Sequence, residues 1–131
     1  MSYDRNSLIP IDQVLPFVIF GSKNTRSSSF KVYDGLLINM TSQRYQLFKL
    51  KGCDCVRCGI KGQYFAIERT PPISPEMPAG WHLNLYAVDS ANNEVMMTKD
   101  HVIPKSKGGK NNLDNYQPMC IICNAMKSNN F

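Results

Sequence analysis

Two short cysteine arms constrain this chain more than any other feature of it. Cys55-x-x-Cys58 and Cys120-x-x-Cys123 share one spacing, with 61 residues between Cys58 and Cys120. Two such turns supply four thiolates, the ligand number and geometry of a structural zinc site. The separation is too long for a small autonomous finger. A metal held there clamps the middle of the chain to its C-terminal end and stabilises a small core. Four sulfur ligands leave no position for water, so the site is expected to take no part in catalysis. The fifth cysteine, Cys53, competes with Cys55 for the first arm. Equal spacing of the two arms favours Cys55 and leaves Cys53 a spare thiol. The alternative is four buried thiols without metal.

Length and composition narrow the class. At 131 residues the chain reads as one domain (1–131) with a modest core. Hydrophobic content of 43% against 19% charged residues describes a globular chain, not a disordered one. No apolar run reaches the ~20 residues needed to cross a bilayer. Val14–Phe20 is too short, and too near Asp12, for a signal peptide. The expectation is a cytoplasmic protein without membrane contact, where disulfides are disfavoured and paired cysteine arms bind metal. The net charge of +5 is uneven: residues 43–69 carry six bases and two acids (+4), residues 99–131 five and two (+3), and residues 70–98 three acids and no base (−3). Positive charge therefore gathers around the cysteine segments. That suits a polyanion such as nucleic acid, although a solubilising surface is the plainer reading.

Along the chain, residues 1–13 show little periodicity. Val14–Phe20 reads as a buried strand with Pro16 placing its start at an edge. Ser22–Ser29 is a polar loop, and Leu36–Met40 a second strand. Thr41 or Ser42 is expected to cap a helix running to about Leu50, with Gly52 at its end. Residues 1–52 thus form an N-terminal strand-and-helix part, and residues 53–69 a knuckle followed by a strand over Gln63–Glu68. Thr70–Gly80, rich in proline, is a loop. Trp81–Ala87 alternates, with Trp81, Leu83, Leu85 and Ala87 on one face and His82, Asn84 and Tyr86 on a polar one. Asp89–Asn93 turns the chain into Glu94–Thr98, which delivers Asp100 and His101 to the strand's end. Together residues 81–131 make a hairpin followed by the chemistry-bearing segment.

Hydrolysis of a phosphodiester needs a base for water and positive charge for the phosphate and the departing oxygen. A histidine near neutrality does the first, and a divalent cation held by a carboxylate and an amide oxygen does the second. Asp100, His101 and Asn124 supply that inventory. Consecutive strand residues point to opposite faces, so bringing Asp100 and His101 together requires the backbone to break, plausibly toward Pro104.

Asp100-His101, Pro104, Ser106, Gly108-Gly109, Asn115, both C-terminal cysteines, Asn124 and Lys127 follow the order D-H-x-x-P-x-S-x-G-G … N-x-x-x-x-C-x-x-C-N-x-x-K. This segment, about residues 95–128, resembles the ββα-metal motif of HNH endonucleases. The resemblance implies an α+β fold with that motif at the C-terminus, joined by the four-cysteine zinc site to the N-terminal part. It implies that Asp100 and Asn124 bind the catalytic divalent cation (Mg²⁺ or another) and that His101 is the general base. Asn115 would hold the loop that orients His101. The implied substrate is DNA, double-stranded, cut to 5′-phosphate and 3′-hydroxyl ends; Lys105, Lys107, Lys110 and Lys127 are the expected phosphate contacts. Small free-standing proteins of this kind are often encoded by phages or mobile elements. The helix after Cys123 is expected to be about two turns, too short to hold without the zinc. His82 is expected not to be a ligand. The rival readings are a zinc-stabilised DNA-binding module that does not cut, and a zinc-clamped protein-interaction domain.

Overall fold

A computed structural model describes residues 3–71 and 80–129. Seven strands and two helices follow one another as β1 (Asp4–Pro10), β2 (Phe30–Tyr33), β3 (Leu36–Asn39), α1 (Gln43–Lys51), β4 (Gly62–Arg69), β5 (His82–Val88), β6 (Glu94–His101), β7 (Tyr116–Cys120) and α2 (Ile121–Asn129). The chain is mixed α and β. Five strands form one antiparallel sheet in the order β1-β4-β5-β6-β7, and β2-β3 is a separate hairpin.

The core follows from the strand alternation. Phe65 and Ile67 of β4, Leu83, Leu85 and Ala87 of β5, and Val95 and Met97 of β6 all bury on one side. There α1 covers them: the Tyr45 and Phe48 rings sit 6.4 and 6.3 Å from Phe65 in edge and tilted contacts. Helix α1 ends as expected at Gly52, with φ of +98°. Ser42 occupies its N-cap but makes no side-chain cap. Thr41 is instead buried and bonded to Asn39 Oδ1 at 2.6 Å. Lys51, in the last turn of α1, reaches across to the Tyr116 carbonyl at 2.6 Å.

Two expectations fail here, each for a local reason, and residues 4–10, which show little periodicity in the sequence, form the edge strand β1, paired with β4 and bulged between Arg5 and Ser7. Its periodicity is hidden because only Ile9 is buried. Val14–Phe20 is not a strand. Residues 11–13 and 15–17 are 3-10 turns, the second seated on Pro16. Pro16 has no N–H to give to a ladder, and Val14 and Val18 bury at a helical spacing of four. The supposed polar face of β5 is also buried at Asn84 and Tyr86. Both donate to the carboxylate of buried Glu68, at 2.8 and 2.5 Å, while Arg5 pairs with its other oxygen at 2.8 Å. Most of the expected proline-rich loop lies outside the described residues.

Candidate active site

The first cysteine arm is a knuckle between α1 and β4. The Cys55 amide donates to the Ile60 carbonyl at 2.9 Å, and Gly59, at φ +78°, reverses the chain. Val56 N–H donates to the Pro118 carbonyl at 3.0 Å, fastening the knuckle to β7. The second arm straddles the junction of β7 and α2. The Sγ atoms of Cys55, Cys58, Cys120 and Cys123 all lie within 4.8 Å of one another. Bonds of about 2.3 Å around a tetrahedral zinc put sulfurs about 3.8 Å apart, and Cys58 and Cys120 stand at 3.8 Å. The cluster is compatible with zinc. Burial pushes the Cys55 thiol up, but the amides of Cys58, Cys120 and Arg57 outweigh it and bring it down to about 6. Burial drives Cys123 the other way, to about 12. Cys53 is outside this cluster; burial, then Asp54, raise it to about 11.

The second site lies at the far end of β6. Strand β5 pairs with β6 only at Glu94–Met96. Beyond that point β6 is paired to β7 alone, with Asp100 opposite Gln117 and His101 opposite Tyr116. The ladder stays regular through His101 and β6 ends there, so the chain leaves the strand only after both residues, on the way to Pro104. Asp100 and His101 nevertheless line one cavity of about 400 Å³, with Pro104, Lys105, Asn124 and Lys127. The unpaired edge of β6 lets side chains from both faces reach it.

Each side chain there is held by a named partner. Asp100 is buried; its Oδ2 accepts from Gln117 Nε2 at 2.9 Å and pairs with Lys127 Nζ at 2.7 Å. Lys127 also donates to the His101 carbonyl at 2.6 Å. Asn124, on the first turns of α2, donates to Thr98 Oγ1 at 2.9 Å, and Thr98 donates in turn to the Met119 carbonyl at 2.7 Å. His101 packs edge-on against Tyr116 at 5.0 Å, and its Nε2–H donates to Asn111 Oδ1 at 2.8 Å. Asn111, Gln117 and Thr98 escaped the sequence reading. Gln117 is recoverable from register alone, since it faces Asp100 across the ladder.

Asn115 ties the loop between β6 and β7. Its Oδ1 accepts from Ile103 N–H at 2.9 Å, and its Nδ2 donates to the carbonyls of Ile103 and Lys110 at 3.0 and 2.9 Å. Gly109 packs so closely that a Cβ there would stand 1.7 Å from the Ile103 oxygen. Of the four expected phosphate contacts, Lys105 lines the cavity, Lys107 and Lys110 are exposed on this loop, and Lys127 lies on Asp100. His82 lies outside the cavity, edge-on to Tyr3 at 5.8 Å.

No helix among the described residues is long and apolar enough to cross a membrane. No curated protein and no solved structure matches the chain. Residues 89–130 match the family model described as HNH endonuclease, and nuclease action on DNA is the activity that the match indicates. The matched residues run from the β5–β6 turn through β6, β7 and α2, and hold the whole of the second site: this C-terminal third of the chain is the part that is similar to HNH endonucleases.

Proposed function

We propose that the chain is a metal-dependent endonuclease that hydrolyses phosphodiester bonds of double-stranded DNA through one divalent cation and a histidine base. The supporting observation is the convergence of Asp100, His101 and Asn124 on one cavity at the open end of β6. β6, β7 and α2 are then the two strands and helix of a ββα-metal unit within a single domain.

The donor set fits a hard cation. Asp100 offers a buried carboxylate and Asn124 an amide oxygen, the ligand types that Mg²⁺ or Mn²⁺ prefer. The carboxylate already attracts a cation, the Lys127 ammonium. Asp100 and Asn124 would hold the metal, which when bound supplies positive charge to the attacked phosphate and to the departing 3′ oxygen. The chain's own residues do the rest. His101 keeps its proton on Nε2, hydrogen-bonded to Asn111 Oδ1, and Nδ1 is then the basic nitrogen that takes a proton from water. Asn115 fixes the loop beside it. Lys105, Lys107 and Lys110 add positive charge at the rim for the DNA backbone, and Lys127 exchanges Asp100 for a phosphate oxygen. The products carry 5′-phosphate and 3′-hydroxyl ends. Zinc on the four cysteines holds α2 in place and takes no part in hydrolysis.

Plasmid cleavage by zinc-loaded protein, wild type beside His101→Ala, with EDTA, Mg²⁺ or Mn²⁺, tests this. Divalent-dependent nicking or linearisation that disappears in the variant, with folding and DNA affinity kept, is the expected result. Retained DNA binding without cleavage under any metal would replace this reading with a non-cutting DNA-binding module.

A further inference from the structure

A second cavity, of about 650 Å³, opens between the start of α1 and the start of β5, outside the matched segment except at its shared wall. That wall is Lys99, which lines both cavities. Lys99 and His101 lie on one face of β6, about 6.6 Å apart along the strand. Lys99 is thus the boundary between the His101 site and the second cavity.

The lining is basic and aromatic. Lys23, Arg44 and Lys99 contribute three cations, Trp81 and His82 contribute rings, and no lining residue is acidic. Among the described residues neither Arg44 nor Lys99 has a carboxylate within ion-pair distance. Lys99 makes a long 3.4 Å contact to Gln43 Oε1 and lies over the Tyr116 ring at 4.3 Å. Arg44 reaches the Leu83 carbonyl at 3.4 Å and the Tyr45 hydroxyl, neither of them an anion that would neutralise it. Two half-buried cations that face each other without an anion cost free energy in the unbound protein. The first turn of α1 opens on the same space with no acid and no side-chain cap, which adds to the positive field. Trp81 is half-buried against the core, with the Arg69 guanidinium 4.6 Å from its ring centroid and the rest of the ring lining the cavity. Cations that track a backbone, with an aromatic ring beside them, form the arrangement that holds single-stranded nucleic acid.

We propose that this cavity is a nucleotide subsite. It takes an unpaired nucleotide of the cleaved strand, next to the scissile phosphate, with its phosphate between Arg44 and Lys99 and its base against Trp81. The proposal rests on the nuclease reading for its choice of ligand. It implies a preference for DNA with a locally single-stranded end or gap over continuous duplex, because a stacked base cannot enter.

Trp81 is the only tryptophan of the chain, so its fluorescence reports the cavity directly and independently of cleavage. The full-length, zinc-loaded His101→Ala protein is titrated with a single-stranded thymidine tetranucleotide and with a blunt duplex, following Trp81 emission and, separately, the anisotropy of labelled DNA. The expected result is saturable quenching by the single strand, weaker quenching by the duplex, and an affinity at least tenfold lower in Arg44→Gln. Arg44→Lys, which keeps the charge, restores most of it. Thermal unfolding and zinc content of the variants establish that they fold. DNA binding by anisotropy that leaves Trp81 emission unchanged, equal affinity in Arg44→Gln, or equal quenching by duplex would each overturn the subsite. A failure of the nuclease reading shows instead as absent plasmid cleavage by wild type, and does not move the fluorescence.

Discussion

Replacing Asn115 by alanine removes three hydrogen bonds at once and nothing from the apolar core. The lost partners are the Ile103 N–H, the Ile103 carbonyl and the Lys110 carbonyl, at 2.9, 3.0 and 2.9 Å. Each such bond is worth about 0.5–1.5 kcal/mol net. Partial exposure of Asn115 puts the sum toward the lower end, at about 2 kcal/mol. These bonds close one loop, not the whole fold, so the loss falls on a local opening equilibrium. A shift of about 2 kcal/mol lowers the closed-to-open ratio by roughly 30-fold, and the closed population by no more than that. If His101 needs that loop closed to act, the cleavage rate of Asn115→Ala falls severalfold, to a limit of about 30-fold, while its melting temperature changes by only a few degrees. Asn115→Asp keeps the acceptor for Ile103 N–H but turns an anionic oxygen toward two carbonyls, and is expected to be no better than alanine. Single-turnover cleavage together with amide exchange at Val102 and Ile103 measures both halves of the argument. Faster exchange with a cleavage rate within threefold of wild type would refute the link between the loop and the histidine.

Cys120→Ser is expected to release zinc, read by mass spectrometry, and to lose about 3 kcal/mol or more, a fall in melting temperature of about 10 °C; unchanged melting would remove the clamp. Gly109→Ala forces the Ile103 carbonyl aside and should slow cleavage at least as much as Asn115→Ala does, with Ile103 exchange accelerated; unaltered cleavage would show that the loop yields without consequence. Lys127→Met frees the Asp100 carboxylate from its ammonium partner, so calorimetry should show Mn²⁺ bound about tenfold more tightly, and weaker binding would mean that the ammonium does not compete for that oxygen. Glu94 has its carboxyl held below the ordinary range, first by hydrogen bonds from Arg5. Its contribution is full above the unfolded pKa and fades as pH falls through the lowered folded value, so Arg5→Gln should flatten the acid limb of stability between about pH 5 and 3; thermal melts across that range check the slope.

The parts of the fold that sequence reached are those with a local signature. Four cysteines at two equal spacings do come together, because a short turn fixes where each arm points. The alternation of β5, the Asp89–Asn93 turn and the glycine stop of α1 are likewise written into a few neighbouring residues. What escaped depends on distant partners. β1 is a strand because β4 needs an outer neighbour and Glu68 a guanidinium, and neither need is visible in residues 4–10. Asn84 and Tyr86 look like solvent-facing residues until Glu68 is placed beside them. At the candidate site Asp100, His101 and Asn124, which line one cavity, were named from the sequence, but the set that supports them was not. Asn111 and Gln117 meet His101 and Asp100 only through the loop path and the ladder register. Consecutive placement of Asp100 and His101 argued for a backbone break near the strand's end, toward Pro104. The structure keeps the strand and uses its unpaired side, a solution that depends on where β5 stops.

The contact between Val56 and Pro118 has a consequence for how the molecule behaves in a crowd. An outermost strand offers unpaired N–H and carbonyl groups to any other chain. On β7 that invitation is declined three ways: the first knuckle takes the Pro118 carbonyl, Lys51 takes that of Tyr116, and Pro118 itself has no N–H to offer. The opposite border, β1, is bulged, bears Asp4 and Arg5, and ends at Pro10. The knuckle is therefore a cover for the sheet as well as half of a metal site. Stripping zinc uncovers β7, so the depleted protein is expected to self-associate through strand addition before it loses the rest of its fold.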